Sequence, residues 1–558
     1  MGHMVEPRHV PAGTAIASFI LLTLLALAAL RVPIAGPPTL QPRIVPMLQP
    51  VGPVVQVWLS TQDRKLRLAQ QPDIAMTARQ PLPVDVVIDT RKTYQSIVGF
   101  GAAMTDASAW LIQNKLNEWQ RFVLLRELFG PPPGLNFNMT RLTIGASDFS
   151  LKPYTLDDLP AGQVDPQLLH FNITPNLHDV IPIMREVLAF NPQLHIIASP
   201  WSAPAWMKTS ANLIGGTLLE QYESSYARYL VKYVDTYRNL GIPVFALTVQ
   251  NEPGFVPVTY PGMDLSADQR ARIIGQYLGP ALARRKSKTL ILGWDHNWDD
   301  PGQPLSILSA PDVARYVDGI AWHCYRGAPS AQSLVHRAFP KKDAYVTECS
   351  GGDWESSRNG ELLWFARDLL LGGLRNWARG VIYWNLALDE HYGPHFGGCG
   401  TCKGIVTIDS NTGEVSRNDE YYAFAHFSRF VLPGAVRVQS TATGSGIDNV
   451  AFRNASDGSI VLVMTNSKMD AQRVSVMQDQ TSFQYTMPAQ SVATFVWGPV
   501  RQETAWTRLL QRLFRKSPTA TASHSVSGKR HESPPLDSGH SPAPLAQPLG
   551  SGADRGRP

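Results

Sequence analysis

The sequence is poor in cysteine. Its 558 residues include four cysteines, and two of them, Cys399 and Cys402, form a C-x-x-C motif in a glycine-rich segment. Because no second C-x-x-C is present and no thioredoxin-like strand–helix–strand pattern surrounds it, the motif favours neither a structural zinc site nor a redox centre. We expect a local disulfide between Cys399 and Cys402 if the protein is exported. We expect Cys324 and Cys349, at the ends of two apolar runs, to be buried thiols.

Other signatures are also absent. The net charge of +5 is mild, and without a basic stripe with interleaved aromatics no nucleic-acid partner is indicated. No Gly-x-Gly-x-x-Gly opens a helix after the first predicted strand, which disfavours an open dinucleotide-binding sheet. No Gly-x-Ser-x-Gly occurs, so a serine nucleophile is not indicated. Outside the candidate site described below, no cluster of His, Asp and Glu has ligand spacing, so neither a metal nor a cofactor is implied.

One long apolar run is present, at residues 14–30, and a proline-rich linker follows it up to about residue 53. Its length of about seventeen residues lies between a signal-peptide core and a short membrane anchor. We expect a protein exported to the periplasm or secreted, with this run either cleaved or retained as an anchor. Residues 500–558 have the composition of a disordered tail. Within it, 505–516 could form a basic amphipathic helix at a membrane surface or remain solvated.

Between residues 96 and 432 short apolar runs alternate with helix-like segments. The predicted strands are 97–101, 139–144, 194–198, 245–249, 289–292, 319–322, 344–348 and 381–384. The clearest predicted helices are 108–128, 177–190, 218–240, 267–285, 360–377 and 420–431. Eight strands alternating with helices predict an α/β fold, a parallel (β/α)₈ TIM barrel.

Period-2 stretches flank this region on both sides. They lie in residues 54–95 and 433–499, and alternation with period 2 is typical of half-buried strands. We therefore expect a side β-sandwich built from the N- and C-terminal flanks. The predicted division is 1–53 for the leader and linker, 54–95 for the first sandwich strands, 96–432 for the barrel, 433–499 for the remaining sandwich and 500–558 for the tail.

Two of the predicted strands end on a glutamate. The run at 245–249 is followed by Gln250, Asn251, Glu252 and Pro253, and the run at 344–348 ends on Glu348. Barrel enzymes build their active sites at the C-terminal ends of the strands. Two carboxylates placed there are what glycoside hydrolysis requires, one as proton donor and one as nucleophile or base.

The other strand ends add polar and aromatic side chains that together form a concave, sugar-sized site. These are Thr105, Asp106, Arg141, Ser147, Asp148, Ser199, Trp201, Ser202, Asp295, His296, Asn297, His323, Tyr325, Trp384, Asn385 and Asp389.

Nine motifs stand out along the chain: GFGAAMTDASAW (99–110), RLTIGASDFS (141–150), ASPWSAPAWMKT (198–209), LTVQNEP (247–253), GWDHNW (293–298), GIAWHCY (319–325), VTECSGG (346–352), WNLALDE (384–390) and AFAHFSRFVLPGA (423–435). Through these motifs the chain resembles glycoside hydrolase family 30, the family that includes lysosomal glucocerebrosidase. They occur in family order over roughly residues 54–498. The resemblance implies the same barrel with a side β-sandwich.

The resemblance also implies roles for individual residues. Glu252 is expected to be the general acid/base and Glu348 the nucleophile of a retaining mechanism, with the pKa of Glu252 the higher of the two. Asn251 matches the residue that binds the sugar 2-hydroxyl. The residues expected to bind the rest of the glycone are Asp106, Trp201 and Trp384, and those expected to support the carboxylates are Arg141, His296, His323 and Tyr325.

The substrate remains open at this stage. The main expectation is a β-glucosidase of the glucosylceramidase type that acts on a glycolipid or oligosaccharide. The alternatives are a β-1,6-glucanase or β-xylosidase of the same mechanism, and a catalytically silent carbohydrate-binding protein. The loop at 349–357 resembles bacterial relatives, and His395 in the loop at 391–403 has no clear counterpart. Both loops border the leaving-group side, which is why the leaving group stays undetermined.

Overall fold

The computed structural model describes residues 50–78, 85–354, 360–441 and 446–498. The predictions for the apolar run at 14–30 and for the tail lie outside these residues. Within the described ranges, no helix is both long and apolar enough to span a membrane.

Eight parallel strands of the described chain close into a barrel, as the sequence predicted. We name them the first to eighth barrel strands: Gly99–Ala103, Met139–Ile144, His195–Pro200, Val244–Thr248, Leu290–Asn297, Gly319–His323, Asp343–Glu348 and Ala378–Asn385. Each strand pairs with its neighbour in chain order, and the eighth pairs with the first.

Helices connect the strands on the outside of the barrel. The α-helices are Asp106–Lys115, Glu118–Phe129, Val180–Phe190, Glu223–Asn239, Ala267–Arg272, Gly279–Arg284, Gly302–Ser309, Pro311–Ala314, Ser330–Ala338, Gly360–Trp364, Gly372–Arg375 and Asp419–Ser428. Two π-helical segments, Ile273–Leu278 and Phe365–Leu371, join consecutive α-helices. The short 3₁₀ turns are Thr174–Asn176, Ala205–Met207 and Glu220–Tyr222.

The barrel interior changes from apolar to polar toward the carboxyl ends of the strands. The apolar layer is at most 1% exposed and consists of Met139, Ile197, Ala246, Leu292, Ala321, Tyr345 and Ile382. Because side chains alternate with period 2, the residue two positions further along a strand points inward again. In five strands that residue is polar and fully buried: Arg141, Ser199, Thr248, His323 and Thr347. The sequence therefore places a polar layer directly above the hydrophobic one.

The fifth barrel strand departs from this alternation. Its pairing with the sixth strand shifts between Trp294 and His296, and Trp294 and Asp295 have positive φ angles of 71° and 77°. Such a bulge re-aims a side chain. Here it turns the Asp295 carboxylate into the polar layer.

Nine further strands form a second closed sheet beside the barrel. In sheet order they are Pro50–Thr61, Ala69–Ala78, Thr481–Met487, Gln472–Gln478, Val86–Ser96, Val436–Ser440, Ile447–Arg453, Ile460–Asn466 and Ser491–Trp497. Strands from both ends of the described chain pair directly, since Pro50–Thr61 lies beside Ser491–Trp497. The sheet encloses its own apolar core, which includes Val57, Leu462 and Phe495. This is the flanking β-sandwich that the sequence predicted.

Several predicted elements differ in extent. The first barrel strand begins two residues later than expected, because the Ile97 N–H donates to Ala435 O of the C-terminal flank. The helix predicted at 108–128 is two helices, since the Asn117 side chain accepts from the Gln120 N–H and begins a second helix in a capping box.

Other elements were not predicted. Three strands of the second sheet, Ala69–Ala78, Gln472–Gln478 and Thr481–Met487, alternate apolar with many polar residues, so their hydrophobic signal is weak. A small sheet follows the eighth barrel strand and is made of Ala387–Asp389, Val406–Ile408 and Val415–Arg417.

The cysteines form two disulfides. The expected pair, Cys399 and Cys402, is joined in the structure. The expectation of buried thiols at Cys324 and Cys349 is wrong, because these two residues are bonded to each other. They follow the ends of the sixth and seventh barrel strands, which are neighbours, so residues 25 apart in sequence meet in space. The cross-link lies directly beside His323 and Glu348.

Candidate active site

The two glutamates lie at the carboxyl ends of the fourth and seventh barrel strands. Glu348 is the last residue of its strand. Glu252 lies four residues beyond the fourth strand with a positive φ of 49°. Its N–H donates to Asp295 O at 3.0 Å, and the Asn251 N–H donates to Pro200 O at 2.8 Å. These two bonds fix the loop to both neighbouring strands and hold the Glu252 carboxylate over the barrel.

Glu348 is buried and receives two strong donors. Arg141 Nη1 donates to Oε2 in a short ion pair, and Tyr325 Oη donates to Oε1 at 2.9 Å. Burial raises the pKa of Glu348, and the charge of Glu252 raises it further, whereas His323 and Arg141 oppose this. The structure thus gives Tyr325 and Arg141 the positions expected of groups that orient a nucleophilic carboxylate.

Arg141 connects most of the site. Its side chain is fully buried, and Nη2 donates to Asn251 Oδ1 at 2.8 Å and to Asp295 Oδ2 at 2.9 Å. The guanidinium lies over the rings of Trp201 and Trp384, 5.0 and 5.5 Å from their centroids. Those two indoles stack on each other at 5.0 Å. Burial alone would lower the pKa of Arg141, but the charges of Asp295 and Glu348 raise it.

Asp295 is the central anion of the polar layer, and the sequence placed it at a strand end without assigning it a role. Oδ2 accepts from Ser199, Thr248 and Arg141, and Oδ1 accepts from Thr347 and contacts His323 Nε2 at 3.1 Å. Burial raises its pKa, but Arg141 and His323 outweigh burial and hold it far below the usual range. Only the bulge in the fifth strand distinguishes it from its neighbours, and a bulge is not visible in the sequence.

Two histidines face Glu252. His323 Nδ1 lies 3.1 Å from Glu252 Oε1, and His296 Nδ1 lies 3.5 Å from the same oxygen. Burial lowers the pKa of His323, but the charges of Glu348 and Asp295 raise it to about 9. Burial raises the pKa of Glu252, and the contacts with His296 and His323 outweigh it and lower the pKa to about 2.

The expected order of the two carboxyl pKa values is therefore wrong in this arrangement. Proximity to Glu348 was expected to raise the pKa of Glu252, but His323 lies between them, 4.0 Å from Glu348 Oε1. The imidazolium stabilises the ionised Glu252. Glu252 and His323 therefore form a closely coupled acid–base pair at this end of the site.

Two hydroxyl groups hold the carboxylate of Asp106, which the resemblance assigned to glycone binding. Its Oδ2 accepts from Ser150 Oγ at 2.6 Å and from Tyr154 Oη at 2.8 Å. Burial raises its pKa to about 6. Both of its partners are buried hydroxyls, so the carboxylate fastens the segment after the second barrel strand to the first helix.

Asp148 also lies in the site, where the sequence had placed it after the second strand without assigning it a role. Burial and the charges of Glu348 and Glu252 raise its pKa to about 8, and Trp384 hydrogen-bonds to it. The Phe396 N–H donates to its backbone carbonyl, which brings the loop at 391–403 to the site.

Comparison with known proteins gives consistent findings. The glycosyl hydrolase family 30 TIM-barrel domain matches residues 97–431, and the glycosyl hydrolase family 30 beta sandwich domain matches residues 434–495. Endo-1,6-beta-D-glucanase neg1 of Aspergillus fumigatus is 38% identical over 433 residues, which cover 72% of this chain and 85% of that protein. The endo-1,6-beta-D-glucanase of Neurospora crassa is 36% identical and covers 77% of this chain and 92% of its own length.

More distant relatives include glucosylceramidases. Lysosomal acid glucosylceramidase of Mus musculus is 29% identical over 449 residues, 74% of this chain and 83% of that protein. Among solved structures, the endo-beta1,6-glucanase BT3312 has a TM-score of 0.73 and 30% identity over 80% of this chain and 99% of that chain. SrfJ from Salmonella typhimurium has a TM-score of 0.75 and 28% identity over 81% of this chain and 100% of that chain.

Proposed function

Because the chain belongs to glycoside hydrolase family 30, we propose that it is a retaining endo-β-1,6-glucanase. The observation that carries the proposal is the ranking of the relatives: the endo-1,6-β-glucanases are 36–38% identical and the mouse lysosomal acid glucosylceramidase 29%. The main expectation from the sequence was the glucosylceramidase type. The comparisons support its alternative, the β-1,6-glucanase, better.

The arrangement of the carboxylates supports a double displacement. Glu348 Oε attacks the anomeric carbon as the glycosidic oxygen leaves with a proton from the Glu252 end of the site, and a glycosyl ester forms. Water then gives its proton to Glu252 and attacks the same carbon, which breaks the ester and retains the configuration. Arg141 and Tyr325 donate to Glu348 and favour the ionised, correctly rotated carboxylate that the first step requires.

The proton for the leaving group comes from the Glu252–His323 pair. A coupled pair gives up its proton with an apparent pKa of the pair rather than of either residue. Glu252 accepts the proton from the Nδ1–H of His323 and donates it to the glycosidic oxygen as that oxygen approaches the carboxyl group. The 3.1 Å contact between the two side chains supports this route.

The loops after the two glutamates carry exposed apolar side chains. Phe255, Val256 and Val258 follow Glu252 and are 47%, 39% and 85% exposed, and Trp354 follows Glu348 and is 48% exposed. Aromatic and aliphatic surface beside a sugar site accepts further glucose rings of a chain. The same surface suits the lipid of a glucosylceramide, which is the second candidate substrate.

Product analysis tests the proposal. Wild type and Glu348→Gln are incubated with linear β-1,6-glucan, with an aryl β-glucoside and with glucosylceramide in detergent. We expect oligosaccharides of mixed length from the glucan at the start of the reaction and a loss of several orders of magnitude in the variant. Release of glucose alone would replace endo action by exo action. If the enzyme cleaves glucosylceramide and leaves the glucan uncleaved, the lipid is the favoured substrate and the proposal is overturned.

We also propose that the protein functions outside the cytoplasm. The apolar run at 14–30 has the length of an export signal. The two disulfides support a location outside the cytoplasm, because the reducing cytosol keeps cysteine thiols in their reduced form. Fractionation of cells that express the full chain tests it, and recovery of all activity from the cytosol would contradict it.

A further inference from the structure

We propose that Glu252, His296 and His323 form a binding site for a zinc ion, which would inhibit the enzyme. The ligand atoms of these three residues all lie within 4.8 Å of one another. The sequence indicated no metal, and this cluster lies inside the barrel site, where the bulge in the fifth strand brings His296 next to the loop of Glu252.

The spacing fits tetrahedral zinc. Zinc bonds of about 2.0–2.1 Å to nitrogen and oxygen give tetrahedral edges of about 3.3–3.4 Å. Glu252 Oε1 lies 3.1 Å from His323 Nδ1 and 3.5 Å from His296 Nδ1, so two of the three edges already have this length. Two imidazoles with one carboxylate select zinc or a similar transition metal over calcium or magnesium, which prefer oxygen alone.

The surroundings of the cluster also resemble those of a metal site. His323 Nε2 contacts Asp295 Oδ1 at 3.1 Å, and Asp295 is itself held by Thr347 and Arg141. A carboxylate behind a ligating histidine fixes the ring and leaves the other nitrogen directed at the metal. In the described part of the chain His296 Nδ1 is buried without a hydrogen-bond partner. A bound metal would satisfy that nitrogen.

The cluster lies beside the other catalytic carboxylate of the proposed mechanism. Glu348 Oε1 lies 4.0 Å from His323 Nδ1. A zinc ion at this place would occupy Glu252 Oε1, the oxygen that passes the proton to the leaving group. Zinc and substrate would therefore exclude each other, and free zinc would act as a competitive inhibitor.

Calorimetric titration of the metal-free full chain with zinc chloride at pH 7 tests the site. The variants are His296→Gln and Glu252→Gln, and the control is His391→Gln, which removes an exposed histidine 3.6 Å from Glu390. Other histidines bind zinc too, so the result is the difference between variants. We expect wild type and the control to bind one equivalent of zinc at this site. The zinc affinity of the site should fall at least about tenfold in both site variants.

A second readout does not depend on the histidine variant folding. Zinc added to wild type should raise KM for the aryl β-glucoside without lowering kcat, and excess EDTA should reverse the effect. Identical titrations for wild type and both site variants, or zinc inhibition that lowers kcat alone, would overturn the proposal. Loss of hydrolytic activity on every substrate would leave the titration intact, so the zinc site and the proposed function fail separately.

Discussion

The disulfide beside Tyr325 and Glu348 should contribute more to stability than the disulfide in the loop at 391–403. Cys324–Cys349 closes 25 residues and Cys399–Cys402 closes three. The chain-entropy relation gives about 3.5 kcal/mol for the first and about 1.6 kcal/mol for the second at 25 °C. With an unfolding entropy of about 2.1 cal/mol/K per residue over roughly 430 described residues, these values correspond to about 4 °C and about 2 °C in Tm.

The assay compares two double variants, Cys324→Ala/Cys349→Ala and Cys399→Ala/Cys402→Ala, by thermal unfolding and by initial rates. Each double variant removes one disulfide by the same pair of Cys→Ala changes, so each serves as the control for the other. Cys324 directly precedes Tyr325, and Cys349 directly follows Glu348. Tyr325 Oη donates a hydrogen bond of 2.9 Å to Glu348 Oε1. A misplacement of about 1 Å can cost up to about a hundredfold in rate.

We therefore expect the first double variant to lose both Tm and kcat and the second to lose Tm alone, by a smaller amount. Equal changes in Tm would refute the argument from loop length. An unchanged kcat in Cys324→Ala/Cys349→Ala, with the Tm lowered as expected, would show that the cross-link stabilises the barrel without positioning Tyr325 and Glu348.

Four further predictions concern buried titratable or charged side chains. Asp148→Asn should lower kcat/KM by about a hundredfold or more, because the charges of Glu348 and Glu252 both act on this buried carboxyl group. Asp106→Asn should lower Tm with a smaller effect on rate, since its partners are Ser150 and Tyr154. Steady-state kinetics and melting curves of both variants check this pair. Arg141→Met should cost about 3–5 kcal/mol in denaturant unfolding, because it leaves two buried carboxylates without their cation. A loss below about 1 kcal/mol would contradict this. Burial lowers the pKa of His426 to about 3, so its contribution is complete above about pH 6.5 and is lost by about 1.4 kcal/mol per unit as pH falls toward 3. Wild type should therefore lose unfolding free energy relative to His426→Gln as the pH falls from about 6.5 toward 3. Denaturant unfolding at a series of pH values checks this, and parallel stability–pH curves for the two proteins would refute it.

The fold could be predicted because its signals are local and repeated. A strand buried on both faces is a continuous apolar run, and the eight runs that alternate with helices admit few arrangements other than a barrel. The strands of the second sheet with mixed polarity, such as Gln472–Gln478, were missed because each has only one buried face and neighbours far away in sequence.

The two glutamates were predictable for the same reason. Glu252 and Glu348 follow apolar runs, and the carboxyl ends of parallel strands all open onto one face of the barrel. Arg141 and Tyr325 were placed by the same rule, and the structure brings them to Glu348. The rule named Asp148 without assigning it a role, because it gives the end of a strand and not the direction in which each side chain points.

By itself, the sequence determined the barrel, the flanking sheet and the two carboxylates, since each depends on patterns within a few residues. Tertiary structure alone decided the rest. It joined Cys324 to Cys349, turned Asp295 inward through a bulge and put His323 between Glu252 and Glu348. These features depend on which strands are neighbours and on how charges compensate in a buried site. Such contacts join residues far apart in the chain, and only folding brings them within a few ångströms.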